Sequence, residues 1–316
     1  MDQRAKLLFV VLLILTTAGR AVSFGTAFSV VQDRKRPNQG TAATELSIPR
    51  PVSFRDVAGR GLLVRTWINS VGPFNFAIDT GAGATLVSTR VADEARVVIK
   101  NGKNGRETSI AGLSGTRVPA RDASIQSLAI GDRDNYLPAK GEVMVINGLP
   151  RDLDGVLDPT EAFSPLGYVI DLPQGELSAF DPRREPLRMS NQPEEGAVVQ
   201  WLREAHGRKP FVMLDNGDRA LLDTGSSFGL AIRDPARANR EMPAYSVRDV
   251  GGGEISSRRV SPQTIAIGAL TLRRIPTDLV SGAEAGAPVL LGLSALRPFR
   301  LVFDPLHRLI SIAPSR

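Results

Sequence analysis

Short apolar runs separated by turn residues fill the chain from about residue 46 onward. In the first half they predict strands at 61–68, at 74–78, twice within 109–118, and at 127–130. The run Val71-Gly72-Pro73 separates the first two strands and predicts a hairpin turn there. Only residues 90–95 have a helical pattern. The chain is therefore predicted to be a mostly β protein.

The second half repeats the order of segments found in the first. In each half an apolar strand ends in Asp-Thr-Gly, at Asp79 and at Asp223. Later glycines can be matched between the halves: Gly131 with Gly268, and Gly155 with Gly292. The matched glycines lie 52 and 45, and then 76 and 69, residues after their aspartates, so the offset is seven both times. One length change explains both spacings, which indicates an internal duplication.

Each half closes with a predicted strand pair, 168–171 with 177–180 and 301–304 with 309–312. A polar stretch over residues 181–195 separates the two halves. These boundaries predict an N-terminal lobe over residues 47–188 and a C-terminal lobe over residues 189–316.

Residues 1–27 have the pattern of an export signal. Arg4 and Lys6 precede an apolar run over residues 7–18, and Ala21-Val22-Ser23 supplies the small residues of a cleavage site. The run is shorter than the roughly 20 residues that cross a bilayer, so we expect a cleaved signal and a periplasmic or secreted protein. An uncleaved membrane anchor is the alternative, because Arg20 follows the apolar run. Residues 28–46 are predicted to be a linker, and a pro-segment is the open alternative.

Composition removes several classes of function. The chain has no cysteine and only two histidines, His206 and His307, which excludes disulfides, thiolate nucleophiles and Cys-based metal sites. We expect no metal and no cofactor. The net charge of +6 comes from dispersed arginines without the basic, aromatic-lined stripe that nucleic acids require. We therefore expect a protein that does not bind nucleic acid. We also expect it to be a monomer.

The duplicated Asp-Thr-Gly loops resemble the active-site loops of pepsin-like (clan AA) aspartic proteases. The similarity covers residues 47–316, and residues 289–304 resemble the end of a pepsin-type second lobe. The resemblance implies a bilobal fold of two homologous six-strand-type β-barrel lobes with an active-site cleft between them. It also implies that Asp79 and Asp223 activate a shared water to hydrolyse a peptide or protein substrate, while Thr80 and Thr224 hydrogen-bond across the interface.

Paired aspartates suit this chemistry. Two carboxyl groups about 3 Å apart cannot both ionise, so they share one proton. One then acts as a base for the water and the other as an acid for the substrate carbonyl. Gly81 and Gly225 permit a tight loop close to the carboxyl groups. Ser226 supplies a hydroxyl to the second loop, where it is expected to donate to the neighbouring aspartate and favour its ionised form.

Two departures from pepsins affect the expected activity. Ala82 replaces the serine of the first loop, which is similar to retropepsins and predicts a dyad that is easier to protonate and a less acidic optimum than pepsin's. The predicted substrate-binding flap has no aromatic residue and consists of Gly112, Leu113, Ser114 and Gly115. A second hypothesis is therefore a pepsin-like peptide-binding or regulatory module with weak turnover.

One competing motif is Asp152-Leu153-Asp154-Gly155, which is similar to the Asp-x-Asp-Gly signature of haloacid-dehalogenase-type phosphatases. That chemistry needs the first aspartate directly after a buried parallel strand, whereas Pro150 interrupts the approach here. The match of Gly155 with Gly292 favours the repeat instead. The run Gly251-Gly252-Gly253 is predicted to be a hairpin tip, since no helix follows it.

Overall fold

The computed structural model describes residues 12–13, 47–100, 108–138, 141–150, 152–202, 204, 208–233, 244–250, 252–284 and 286–315. Three β-sheets and three short helices form this part of the chain, so the mostly β prediction is confirmed. The predicted leader and linker lie outside these ranges, apart from Leu12–Leu13, which pairs with a strand of the first sheet. In the described ranges, no helix is long and apolar enough to span a membrane.

The strands of the first half are β1 (Leu12–Leu13), β2 (Val52–Ser53), β3 (Arg55–Val57), β4 (Gly61–Ile68), β5 (Val71–Ile78), β6 (Leu86–Ser88), β7 (Val98–Ile99), β8 (Thr108–Gly112), β9 (Arg117–Ser124), β10 (Leu128–Ile130), β11 (Glu142–Ile146), β12 (Gly155–Leu157), β13 (Gly167–Asp171) and β14 (Glu176–Phe180). Those of the second half are β15 (Ala197–Gln200), β16 (Phe211–Met213), β17 (Arg219–Asp223), β18 (Leu230–Arg233), β19 (Tyr245–Arg248), β20 (Glu254–Ile267), β21 (Leu270–Ser281), β22 (Val289–Gly292), β23 (Phe299–Asp304) and β24 (Leu309–Pro314). The helices are α1 (Thr89–Glu94), α2 (Pro159–Ala162) and α3 (Leu293–Leu296).

Strand order reproduces the duplication that the sequence predicts. The first sheet contains the path β4-β5-β12-β6-β11-β9-β8, and the second sheet runs β16-β17-β22-β18-β21-β20-β19. Corresponding neighbours also run in corresponding directions: β5–β12 and β17–β22 are parallel, and β12–β6 and β22–β18 are antiparallel. Both halves therefore place the strand that carries the matched glycine beside the strand that leads to Asp-Thr-Gly.

The third sheet joins the two halves. Its order is β15-β24-β23-β13-β14-β2, so the closing strand pairs of both halves hydrogen-bond to each other through β13 and β23. Tyr168 of β13 stacks on Phe303 of β23 with ring centroids 4.6 Å apart, and Trp201 meets Phe303 edge-on at 6.0 Å. In the described part of the chain the sheets hold eleven, seven and six strands, because short strands and hairpins extend the first two and the closing pairs form a common third. The two six-strand-type β-barrel lobes that the resemblance implies are therefore not confirmed.

The first hairpin turns two residues earlier than predicted. Asn69 and Ser70 adopt left-handed φ values of 50° and 65°, and Val71-Gly72-Pro73 belongs to β5. The Asn69 side chain holds this turn in place, because its Nδ2 donates to the Ala95 carbonyl at 2.8 Å and its Oδ1 accepts from the Gln126 N–H at 2.6 Å. Asparagine tolerates left-handed φ better than most residues, which the apolar pattern does not reveal.

The competing phosphatase motif has structural roles instead. Asp154 precedes β12 rather than following a parallel strand; its carboxylate accepts the Asn75 N–H at 2.8 Å and pairs with Arg90. Asp152 pairs with Arg60 at 2.6 Å.

The Asn69 turn can be tested by a pair of substitutions. Asn69→Gly keeps the backbone conformation but removes the side-chain hydrogen bonds, so we expect the free energy of unfolding to fall by about 2 kcal/mol. Asn69→Ala adds left-handed strain, and we expect a further loss of about 1 kcal/mol. Urea denaturation measures both, and equal stability of Asn69→Gly and the unmodified protein would contradict the bracing role.

Candidate active site

The two Asp-Thr-Gly loops leave equivalent strands of the first two sheets. The Asp79 N–H donates to the Leu157 carbonyl at 3.0 Å, at the end of β12. Asp223 is the last residue of β17 and lies opposite Gly292 of β22. Both aspartates are fully buried, so the folded chain holds two carboxyl groups away from bulk water.

Reciprocal hydrogen bonds hold the two loops together. Thr80 Oγ1 donates to the Leu222 carbonyl at 2.6 Å, and Thr224 Oγ1 donates to the Ile78 carbonyl at 3.0 Å. The Thr80 N–H also donates to Thr224 Oγ1, and the Thr224 N–H to Thr80 Oγ1, both at 3.1 Å. The structure therefore contains the cross-interface bonding that the resemblance implied for these two threonines.

Each carboxyl group packs against the glycine of the opposite loop. A Cβ atom at Gly81 would lie 2.9 Å from Asp223 Cγ, and one at Gly225 would lie 2.3 Å from Asp79 Cγ. Each glycine also bonds its own aspartate: the Gly81 N–H donates to Asp79 Oδ1 at 2.7 Å, and the Gly225 N–H to Asp223 Oδ1 at 2.9 Å. Any larger residue at either position would push the carboxyl groups apart.

Burial and mutual repulsion make this carboxyl pair retain protons. Desolvation raises the pKa of Asp79, and the charge of Asp223 raises it further against the Gly81 N–H. Desolvation also raises the pKa of Asp223, to about 6, although bonding to Asp79 and to the Gly225 N–H opposes this increase. Among the described residues, neither Oδ2 atom of the pair receives a hydrogen bond from a protein donor. The pair can therefore hold one proton at pH values at which ordinary carboxyl groups are ionised.

The two loops differ around their fourth position. Ala82 and Ser226 are both fully buried. The sequence predicted a serine hydroxyl donating to its aspartate, whereas in the structure Ser226 Oγ accepts the Phe228 N–H at 3.4 Å. Desolvation raises the pKa of Asp223, and the Ser226 backbone N–H is the weakest of the groups that lower it, after Asp79, the Gly225 N–H and the charge of Lys209.

A third buried carboxyl group, Asp158, lies next to the pair. It follows β12 directly and caps α2, where its Oδ1 accepts the Thr160 N–H at 2.9 Å. Burial raises the pKa of Asp158 to about 7, and Glu161 adds repulsion. Asp158 also raises the pKa of Asp79 through its charge, so three carboxyl groups interact. The sequence shows it only as the residue after the matched Gly155 strand.

The predicted flap is the tip of the β8–β9 hairpin, and it contacts the second half. The Ser114 N–H donates to Asp249 Oδ2 at 2.7 Å, and the Leu113 carbonyl accepts the Glu284 N–H at 3.0 Å. Asp249 is almost fully buried. The hairpin tip is therefore fixed by a carboxylate that the sequence did not single out.

The second half carries an equivalent hairpin, β19–β20, which confirms the hairpin predicted around the glycine run 251–253. The tips exchange apolar side chains: Leu113 packs in a second-half cluster with Phe211, Leu221 and Val247, and Val250 packs against a first-half cluster that includes Leu63, Ile110 and Val156. A second flap was missed from sequence, although the repeat places this hairpin after Asp223 as the first follows Asp79.

Comparison with known proteins agrees with this geometry. Residues 64–157 match the aspartyl protease family model. The match spans Asp79, the β8–β9 hairpin and β12. It supports an aspartyl protease family and peptidase activity. A search of the curated proteins gave no match.

The contact between the hairpin tips can be tested at Asp249. Asp249→Ala removes the acceptor of the Ser114 and Gly253 N–H groups. Because a hydrogen bond to a charged group contributes about 1.5–3 kcal/mol, we expect these two amides to exchange with solvent roughly 10- to 100-fold faster. Hydrogen exchange measured by NMR would show this. Asp249→Asn keeps an acceptor oxygen and should show a smaller increase; equal exchange in all three proteins would contradict the contact.

The buried Asp158 predicts a specific pH dependence of stability. Its pKa rises from an ordinary value of 3.8 to about 7 on folding, so its favourable contribution is complete below pH 3.8 and is lost as the pH rises through 7. Asp158→Asn lacks this loss, and we expect its stability relative to the unmodified protein to improve over that window, by at most about 1.4 kcal/mol per pH unit.

Urea denaturation at several pH values measures this difference. Asp132→Asn, which removes an exposed carboxylate, is the matched control and should show a much smaller change. A pH-independent difference for Asp158→Asn would show that Asp158 is not the titrating group.

Proposed function

We propose that the protein is an exported, monomeric aspartic endopeptidase with two lobes, residues 47–188 and 189–316. The observation that carries this proposal is the pairing of Asp79 and Asp223 through the reciprocal threonine bonds. The duplicated strand order supports a pepsin-like arrangement, and Ala82 supports a retropepsin-like first loop. The export pattern of residues 1–27 supports a periplasmic or secreted location.

The pair provides the proton transfers of amide hydrolysis. The ionised carboxylate removes a proton from water while the water oxygen bonds to the carbonyl carbon of the substrate. The protonated carboxyl gives its proton to the carbonyl oxygen, which yields a neutral gem-diol. The C–N bond then breaks: the leaving nitrogen takes a proton from the carboxyl that had accepted one from water. The other carboxylate recovers a proton from a diol hydroxyl. The dyad ends with one proton, as it began.

The two hairpins are proposed to position the substrate. The tips β8–β9 and β19–β20 meet each other through Ser114 and Asp249, and both are proposed to cover a peptide bound at the dyad. Gly112, Leu113, Ser114 and Gly115 are proposed to contact its backbone and side chains. The buried side chain of Leu113 also favours the second candidate, a peptide-binding module, because a tip held in place would slow substrate entry and product release.

Cleavage of a peptide library from about pH 3 to about pH 8 tests the catalytic proposal. We expect Asp79→Asn and Asp223→Asn each to lower kcat/KM by at least about 100-fold, since each removes a group that transfers a proton. Asp132→Asn, an exposed position, makes the same chemical change and should leave kcat/KM unchanged.

The pH of maximal cleavage provides a second readout of the same experiment. Because Ala82 leaves Asp79 without the serine hydroxyl of pepsins and burial raises the pKa of both aspartates, we expect the optimum to lie above the roughly 1.5–4.7 window of pepsin's dyad. A maximum near pH 2 would contradict this expectation. Equal cleavage by the unmodified protein and both aspartate variants would exclude the protease, and binding without cleavage would identify the peptide-binding module.

A further inference from the structure

Lys209 is buried beside the aspartates, and the proton transfers described above give it no part. Only 4% of its surface is exposed, which is rare for lysine unless it is paired. Its backbone is held firmly: the Lys209 carbonyl accepts from Trp201 Nε1 at 2.7 Å and from the Phe211 N–H at 3.1 Å. The next carbonyl, of Pro210, accepts the Leu222 N–H at 2.9 Å. The position of Lys209 relative to β17 is therefore fixed.

Strand register brings the backbone of Lys209 close to that of Asp223. In the antiparallel pair β16–β17, Phe211 lies opposite Leu221. The bond between the Pro210 carbonyl and the Leu222 N–H extends this register by one residue, so Lys209 and Asp223 are the next residues on the two chains and lie close together. Directly opposed residues of antiparallel strands project to the same face of the sheet with their Cβ atoms close together. Phe211 and Leu221, two residues further along, share one apolar cluster on that face.

The first half has a different residue at the equivalent position. In β4–β5, Leu63 lies opposite Ala77, and the same register places Gly61 opposite Asp79. The duplicated halves therefore differ at the position aligned with their aspartates: it is a glycine in the first half and a buried lysine in the second.

Several charged groups face Lys209. Burial lowers the pKa of Lys209, while Glu204, Asp223, Asp79 and Asp158, in that order of strength, favour its charged form. They come from the loop after β15, the end of β17, the loop after β5 and the start of α2. The neighbouring Arg208 is directed to Glu161 of α2, with Nη1 4.0 Å from Oε1.

We propose that Lys209 is a positioning residue for the dyad: its ammonium group keeps Asp223 ionised, so the shared proton resides on Asp79. The effect of Lys209 on hydrolysis rests on the proposed function. Asp223 then takes the proton from water and Asp79 gives its proton to the substrate carbonyl. The unequal neighbours of the two aspartates thus assign the base and the acid.

Removing the ammonium group should raise the pKa of the dyad. A nearby cation favours the ionised form of a carboxyl group, so Lys209→Met should raise the pH at which the dyad loses its protons. We expect both limbs of the profile of kcat/KM against pH to move upward by about one pH unit. Lys209→Arg keeps the positive charge and should largely restore the original profile.

A direct titration of the aspartates makes the result independent of turnover. The ¹³C signals of Asp79 and Asp223 carboxyl carbons in Asp-labelled protein, assigned with Asp79→Asn and Asp223→Asn, report their protonation in the absence of substrate. Lys100→Met is the matched control, because Lys100 is an exposed lysine paired with Glu142 at 3.0 Å and its loss changes the net charge equally. We expect the carboxyl midpoints to move in Lys209→Met and not in Lys100→Met.

The outcomes separate this inference from the proposed function. Shifted midpoints without cleavage of any peptide would support the role of Lys209 and exclude the peptidase. Unchanged midpoints in Lys209→Met would overturn the role of Lys209, even if kcat/KM falls equally at every pH. Equal shifts in Lys209→Met and Lys100→Met would also overturn it, since they would reflect net charge alone. Dichroism spectra confirm that each variant is folded.

Discussion

The reciprocal bonds between Thr80 and Thr224 are the constraint on which the rest of the site depends. Each hydroxyl donates to a carbonyl that precedes the opposite aspartate and accepts an N–H from the opposite loop. These bonds fix the two loops at one separation, and the glycines that follow allow the carboxyl groups to approach closely. Without this arrangement, the two halves would present two isolated buried aspartates.

Holding carboxyl groups this close has an electrostatic cost that the chain meets in several ways. Desolvation opposes ionisation of Asp79, Asp223 and Asp158 alike. Backbone N–H groups stabilise one oxygen of each, and Lys209 adds a buried positive charge. The result is a group of acids that holds fewer negative charges than its number of carboxyl groups suggests, which is the condition for sharing a proton.

Much of this site could be predicted from the sequence because it is encoded locally. Asp79 and Asp223 lie in short motifs, and a constant offset showed that the motifs belong to a duplication. The hairpin turn at Asn69 was misplaced because glycine and proline next to it give a stronger turn signal. The contact that Asp249 makes and the role proposed for Lys209 depend on contacts between the halves and on strand register across a turn, and neither leaves a motif in the sequence. The second flap was within reach, since the repeat alone implies it.

The third sheet, in which the closing strands of both halves pair, also bears on how such a chain can diverge. A symmetric dimer of one half would carry identical residues opposite both aspartates, because a single gene would encode both copies. A single chain is free of that restriction, since each copy accumulates substitutions separately while the shared sheet keeps them joined. Glycine at position 61 and lysine at position 209 differ in this way, so the two halves no longer carry the same residue at the position aligned with the aspartate.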